Sequence, residues 1–524
     1  MPAIITDQLR ISRAKQFVST ASSANYYSFI GLTNPNDFFP EWNISPPAPK
    51  DSFDQEFGYW DTMIALKKIY PADIRQSVRK IKWEENIIYD MYRHDINRDN
   101  VARPSGATSL YSSNYYVVNS NYQVYICLHN GTSPNNPSGR PSQFEPTFTD
   151  VEPRSVSTGS DGYIWKYLFS LNAVDIIRFD STNFIPVPIN WGNDEQTSII
   201  KNNATNNGQL KICVIKNRGN YLNVSGITNR VFRDVPIKGD GSGALVTITF
   251  NNNAEVENIF VTNGGSNYTY GRVDLGSLPT PDVNPEFDVI IPPKGGHGYD
   301  IYNELGAFYV SLYARIENDL NNPDFITGNE IAQIGIVENP QKYNSSEFLT
   351  DDKVSSLSAI KLVGITNPSD FQSASFNSDA YITQTVGTGV TAVGRVVSYD
   401  RNTGVLKYWQ DKSLVGFNTN GTQKDPIYGF NLEKFTATPT GTGNLVISGG
   451  SINLNIDILY GSIESPGITT VINNRTYRLG QSFINGLSEP EVKKYSGDII
   501  YVDNRPAITR SQNQKEDIKV ILQF

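Results

Sequence analysis

Short runs in which apolar and polar residues alternate, several of them closed by Asn, Gly or Asp, recur along the chain. This pattern constrains the fold more than any other feature. Ala244, Val246, Ile248 and Phe250 share one face of residues 244–250. A period of two puts successive side chains on opposite faces, which is a half-buried strand. Tyr309–Ile316, Ala392–Tyr399, Gly404–Trp409 and Ile518–Phe524 read the same way, and Asp400-Arg401-Asn402-Thr403-Gly404 closes a hairpin. Residues 115–128 read as two strands around a turn at Asn119–Asn121, and 163–171 form a strongly apolar segment. Helical spacing predicts a helix in two places. In residues 4–19, Ile5, Leu9, Ala14 and Val18 fall near one face; further on, Trp60, Met63, Ile64 and Lys67 predict a helix limited by Pro71. Ser77–Trp83 fits either period. The expected fold is mainly β with minor α.

The chain has 524 residues, enough for roughly three to five domains or one core with large insertions. Aromatic residues make up 11%, which a disordered chain lacks, so most of it should pack. Charged residues are 19%, below the usual ~25%, so uncharged Asn, Ser, Thr and Gln must supply the polar surface. The net charge of −9, with no Lys/Arg block, argues against a dedicated nucleic-acid face. No apolar run approaches the ~18 residues of a spanning helix, and no basic-then-apolar leader opens the chain. Cys127 and Cys213 are expected as buried thiols in a reducing compartment.

A search for chemistry assigns no catalytic, cofactor or metal residue, and an enzyme is not expected. The phosphate-cradling and nucleophile-elbow motifs are absent. Gly239-Asp240-Gly241-Ser242-Gly243 offers one carboxylate where a calcium loop needs several, so it reads as a turn. Asp161-Gly162 after Gly159-Ser160 reads as another. In Tyr92-Arg93-His94-Asp95, adjacent residues cannot aim at one another and no nucleophile is marked. His297, inside Gly295-Gly296-His297-Gly298, points to a flexible glycine hinge or tight backbone contact rather than a metal site.

Charge thins and Asn and Gly thicken over 201–292 and again over 355–480. The expected plan is a discontinuous, β-sandwich-like core of 1–200, 293–354 and 481–524, interrupted by two β-rich modules at 201–292 and 355–480. Gly219-Asn220-Tyr221 recurs loosely as Gly264-Gly265-Ser266-Asn267-Tyr268, a weak duplication inside the first module. Asn34-Pro35-Asn36-Asp37 should break the chain, and the three prolines of 45–51 should hold it extended. The long loop 130–154 should cover another subunit or another part of the chain.

Four core stretches, in order, carry a recognisable pattern. The first is Tyr27-Ser28-Phe29-Ile30-Gly31, then Trp42, Pro46-Pro47, Pro49, Asp51-Ser52 and Trp60-Asp61-Thr62-Met63. The second is Asp161-Gly162-Tyr163-Ile164-Trp165-Lys166-Tyr167-Leu168-Phe169 with Ile185-Pro186-Val187-Pro188. The third is Gly328-Asn329, Gln333-Ile334 and Asn339-Pro340; the last is Ser496–Tyr501 with Asn504-Arg505-Pro506, ending in Ile518–Phe524. Together they resemble the gene-eight baseplate wedge protein family of T-even-type contractile-tailed bacteriophages, in an enlarged, cyanophage-like form. The resemblance does not extend to 201–292 or to most of 355–480.

The resemblance implies a non-enzymatic virion subunit, made in the host cytoplasm and built into the tail baseplate. It implies a homodimer within each wedge, in contact with other wedge proteins, holding them together and transmitting rearrangement as the tail contracts. Asp161, Gly162, Tyr163, Trp165, Tyr167 and Phe169 are expected to form a structural core signature. Trp42, Trp60, Asn504, Arg505 and Pro506 are candidates for docking a partner; the alternative is that both tryptophans pack on their own domain. The rival class is a receptor-binding or glycan-degrading tail protein, which would be a trimer.

Overall fold

The computed structural model describes every residue except 1–2, 22, 34–40, 157–160, 411–415, 418–422, 425–432 and 462–468. The expected break at Asn34–Asp37 and the Gly159-Ser160 lead-in lie outside the described residues. The fold is mainly β, with 38% strand and 12% helix, as the alternating pattern predicts. The chain divides into two compact units: Met1–Ser19, Ile74–Leu312 and Lys519–Phe524 form one, and Thr20–Asp73 with Tyr313–Ile518 form the other. This differs from the single discontinuous core expected from the sequence. The reason lies in strand pairing: Tyr26–Gly31 is laddered to Glu330–Glu338, which carries residues 20–73 over to the later part of the chain.

In the first unit, Tyr116–Val118, Gln123–Asn130 and Tyr163–Ser170 form a three-stranded antiparallel sheet. The first turn is made by Asn119, whose side-chain oxygen accepts from the backbone N–H of Asn121 (2.9 Å) and Gln123 (2.8 Å). Tyr122 takes the left-handed backbone beside it. Ser77–Trp83, ambiguous by period, begins as the end of the strand Ile74–Arg79. The N-terminal helix Asp7–Thr20 buries Ile11 and Ala14, while Leu9 is 46% exposed. The buried face thus keeps Ala14 of the expected one but takes Ile11 in place of Leu9. Lys15 sits over the Tyr302 ring and Phe17 against Phe524, and these contacts fix the helix rotation. The first inserted segment builds a four-stranded sheet in the order Val256–Ser266, Ser242–Phe250, Val231–Gly239, Gly271–Val273. It closes over a cluster of its own that includes Tyr221 and Tyr268, the two tyrosines of the loose repeat.

In the second unit a five-stranded sheet runs Lys353–Ser355, Met63–Ile69, Tyr26–Gly31, Glu330–Glu338, Asp498–Thr509. The helix expected through Lys67 instead spans Phe53–Thr62 and gives way at Met63 to a strand. Met63, Ile64, Ala65 and Leu66 are all buried. A strand covered on both faces loses its alternation and mimics helical spacing. A seven-stranded sheet holds most of the second insert, centred on Ser358–Val363, and it takes in Leu487–Ser488 from beyond residue 480. The Asp400 turn is found between Val390–Asp400 and Val405–Trp409, with Gly404 at φ +72°. Ile518 in the last strand, Lys515–Gln523, is buried, and the strand's remaining residues, from Lys519 on, belong to the first unit.

Candidate assembly surfaces

The signature residues come together as the centre of the first unit. Tyr163, Trp165, Tyr167 and Phe169 are all buried, with Trp165 fully so. The rings of Tyr163 and Trp165 stack at 5.2 Å, Tyr89 meets Trp165 edge-on, and Tyr125 meets both Tyr167 and Phe148. The Tyr163 hydroxyl donates to Arg140 O (2.8 Å) and accepts from Tyr89 N (3.0 Å). Asp161 starts the strand: one carboxylate oxygen accepts from Tyr163 N (3.1 Å), the other from Gln143 N (2.8 Å). Gly162 stands at φ +89°, and a Cβ there would lie 2.9 Å from the Gly131 Cα. The Asp-Gly pair is thus required by a turn and a close backbone approach. The loop 130–154 covers this sheet itself. Arg154 and Trp165 exchange backbone hydrogen bonds at 3.0 Å, and Tyr125 Oη donates to Phe148 O. Lys166, on the same strand, is fully buried and donates to Val151 O (2.7 Å); burial lowers its pKa to about 8.

The five docking candidates all lie in the second unit, where Trp42, Trp60 and Asn504 are engaged by their own unit. Trp42 is 2% exposed and its indole N–H donates to Arg505 O (2.8 Å). Trp60 is fully buried beside Tyr27, Phe29 and Val337. Both tryptophans pack within their own unit and neither offers a free surface. Asn504 donates to Pro47 O (2.9 Å), and Asn43 accepts from Ala507 N (2.8 Å). The proline-rich arm therefore lies along Asn504–Ala507, on the edge strand of the five-stranded sheet. There the register slips from Gln333↔Asn504 to Ile331↔Ile508, a bulge that contains Pro506. Around this edge several apolar side chains stay in solvent: Ile44 and Phe53 are each 84% exposed, and Ile508 is 47% exposed.

The sequence points to tight packing at His297, and the structure adds its partner, Glu304. His297 Nδ1 lies 2.6 Å from Glu304 Oε1, and Gly298 N donates to Oε2 at 2.6 Å. Tyr92 meets the imidazole edge-on and Tyr115 donates to the Glu304 carbonyl. A Cβ on Gly296 would lie 2.4 Å from Ala204 O, so the two chain segments that leave and re-enter the first insert touch there. Nothing in the sequence marks Glu304 among 53 acidic residues. Arg93 and His94 have an anchoring role: Arg93 bonds Asp95 and Asp288, and His94 Nδ1 accepts from Ile291 N (3.2 Å). Burial lowers the His94 pKa, in keeping with a neutral acceptor. Asp240 holds Thr269 and Tyr270, the work of a turn. Cys127 and Cys213 are buried, and burial raises both thiol pKa values, that of Cys213 to about 12.

Among the described residues no group of three or more His, Cys, Asp or Glu is placed to hold a metal ion. No described helix is long and apolar enough to cross a membrane. Compared with known families and with curated proteins, the chain matches no family model and no curated protein.

Proposed function

We propose that the chain is a structural subunit of the tail baseplate wedge of a contractile-tailed phage, acting through contacts rather than catalysis. The supporting observation is the meeting of stretches that carry the family pattern at opposite ends of the sequence. Trp42 and Pro47, from the first stretch, are hydrogen-bonded to Arg505 and Asn504, from the last. The second stretch is the buried signature strand of the other unit. Residues so placed suit a protein whose task is to hold shape. In this reading each unit moves as a body during contraction and rearrangement is confined to interfaces.

Two measurements test it. The first is the solution mass of the full chain: a dimer accords with the wedge reading, and a trimer favours a receptor-binding or glycan-degrading tail protein. The second is co-expression with the other wedge proteins of the same phage. The expected result is a stable complex containing this chain, and failure to enter any wedge complex would overturn the proposal.

A further inference from the structure

Among the described residues, the edge of the five-stranded sheet is covered in one half and uncovered in the other. Over Asn504–Ala507 the arm, Pro506 and the bulge shield it. Asp498–Thr509 is the last strand in that sheet, and among the described residues none from Asp498 to Asp503 makes a backbone hydrogen bond outside its ladder with Glu330–Glu338. An unpaired edge of this kind is a template for another strand, and proteins normally blunt it. Among the described residues this half is blunted by one extra residue, Ile500, where the register moves from Tyr501↔Ile336 to Ile499↔Val337, and by the charges of Asp498 and Asp503 at its ends. A groove of about 610 Å³ runs beside the open half, between Ile499–Val502 and the segment from Pro49 to Tyr59. Phe53, on its wall, is 84% exposed, and Ile500 is 36% exposed.

Charge narrows what can enter. Asp51 and Glu56 line the groove and Asp498 and Asp503 bracket the open strand, against Lys50 and an Arg505 already paired with Asp503. A second copy of this edge is a poor occupant. Antiparallel self-pairing of the whole open stretch would set Asp498 opposite Asp503, and like charges directly opposed destabilise a pair. We propose that the edge Asp498–Asp503 receives an extended strand of a different protein, apolar on one face and carrying Lys or Arg on the other, as a sixth strand of this sheet. Six strand residues span roughly 20 Å, so backbone pairing supplies affinity while Phe53 and Ile500 contact alternate side chains. The inference stands on the sheet edge alone and does not require the wedge reading.

The test uses the full chain and a capped hexapeptide of alternating valine and lysine at millimolar concentration, read by amide hydrogen exchange. The expected result is at least ten-fold slower exchange confined to 498–503. The effect should vanish when alternate peptide nitrogens are methylated or when glutamate replaces lysine. The double variant Asp51→Lys/Glu56→Lys changes only surface charge and should weaken the peptide several-fold. No slowing at 498–503, or equal slowing by the methylated peptide, overturns the proposal. Slow exchange there in the protein alone, increasing with its concentration, would assign the edge to a second copy and equally overturn it.

Discussion

The two inserted segments are both β-rich and glycine-rich, yet they are attached to their units in opposite ways. The first is separated from the signature core by an apolar wall. Its strand pair Cys213–Asn217/Glu286–Val289 has two faces: Val214 belongs to the signature core, while Cys213 and Val289 belong to the insert's own cluster. The second insert is joined through buried charge. Lys407 reaches Asp324 at 2.5 Å with both side chains under 10% exposed, and Asp324 also accepts from Arg478 N (3.2 Å). The Arg478 guanidinium bonds the Lys353 carbonyl and pairs with Glu491 (3.2 Å), whose carboxylate accepts from Ser355 N. An apolar wall can be re-covered when one side is removed. A buried charge whose partner is removed cannot.

The widest test of this difference is excision. Asn217 and Glu286 are register partners, so a short glycine link can replace 218–285. The remaining protein should still melt cooperatively by calorimetry. Removing all of 201–292 also takes Ile212, Val214 and Ile290 from the signature core and should cost several kcal/mol more. Excising 355–480 should abolish cooperative melting of the second unit, since it strips Asp324 and Glu491 of their partners. Similar melting after both large deletions would break the comparison.

Single substitutions sharpen it. Lys407→Met leaves Asp324 buried and uncompensated and should cost about 3–5 kcal/mol in denaturant unfolding. Adding Asp324→Asn, which keeps an acceptor for Arg478 N, should recover much of that. Glu491 gives a pH signature. Burial, which outweighs its pairing with Arg478, raises its pKa from 4.5 to about 7. The folded state therefore holds a proton that the unfolded state has released between those values. Stability should fall as pH rises from about 4.5 to 7, by up to about 3 kcal/mol, and level off above. Glu491→Gln should flatten this part of the melting-temperature profile. On the apolar wall, Ile290→Ala should cost about 2–3 kcal/mol. Arg93→Ala, a partly exposed tie from the core to Asp288, should cost about 1 kcal/mol.

What could be read from the sequence follows the same divide. The run 244–250 announced a strand because one face lies in a core and the period is regular; Tyr163–Ser170, where Lys166 and Leu168 are buried as well, showed only as an apolar segment. Met63–Ile69 did not announce a strand, because burial on both faces erased its period. Leu9 was assigned to the wrong helical face because the contacts that set the rotation, Tyr302 and Phe524, lie hundreds of residues away. Glu304, Asp324 and Glu491 were invisible: an isolated carboxylate carries no local pattern, and only the fold supplies its partner. The docking candidates had a clear local appearance, but the structure spends Trp42 and Asn504 on each other's segments and leaves the neighbouring edge open.

Electron cryo-microscopy of the intact phage tail tests the central proposal most directly. The account predicts this chain in the baseplate, two copies to a wedge, packed against other wedge proteins. Copies arranged as a trimer at a fibre tip, or a tail without this chain, would contradict it.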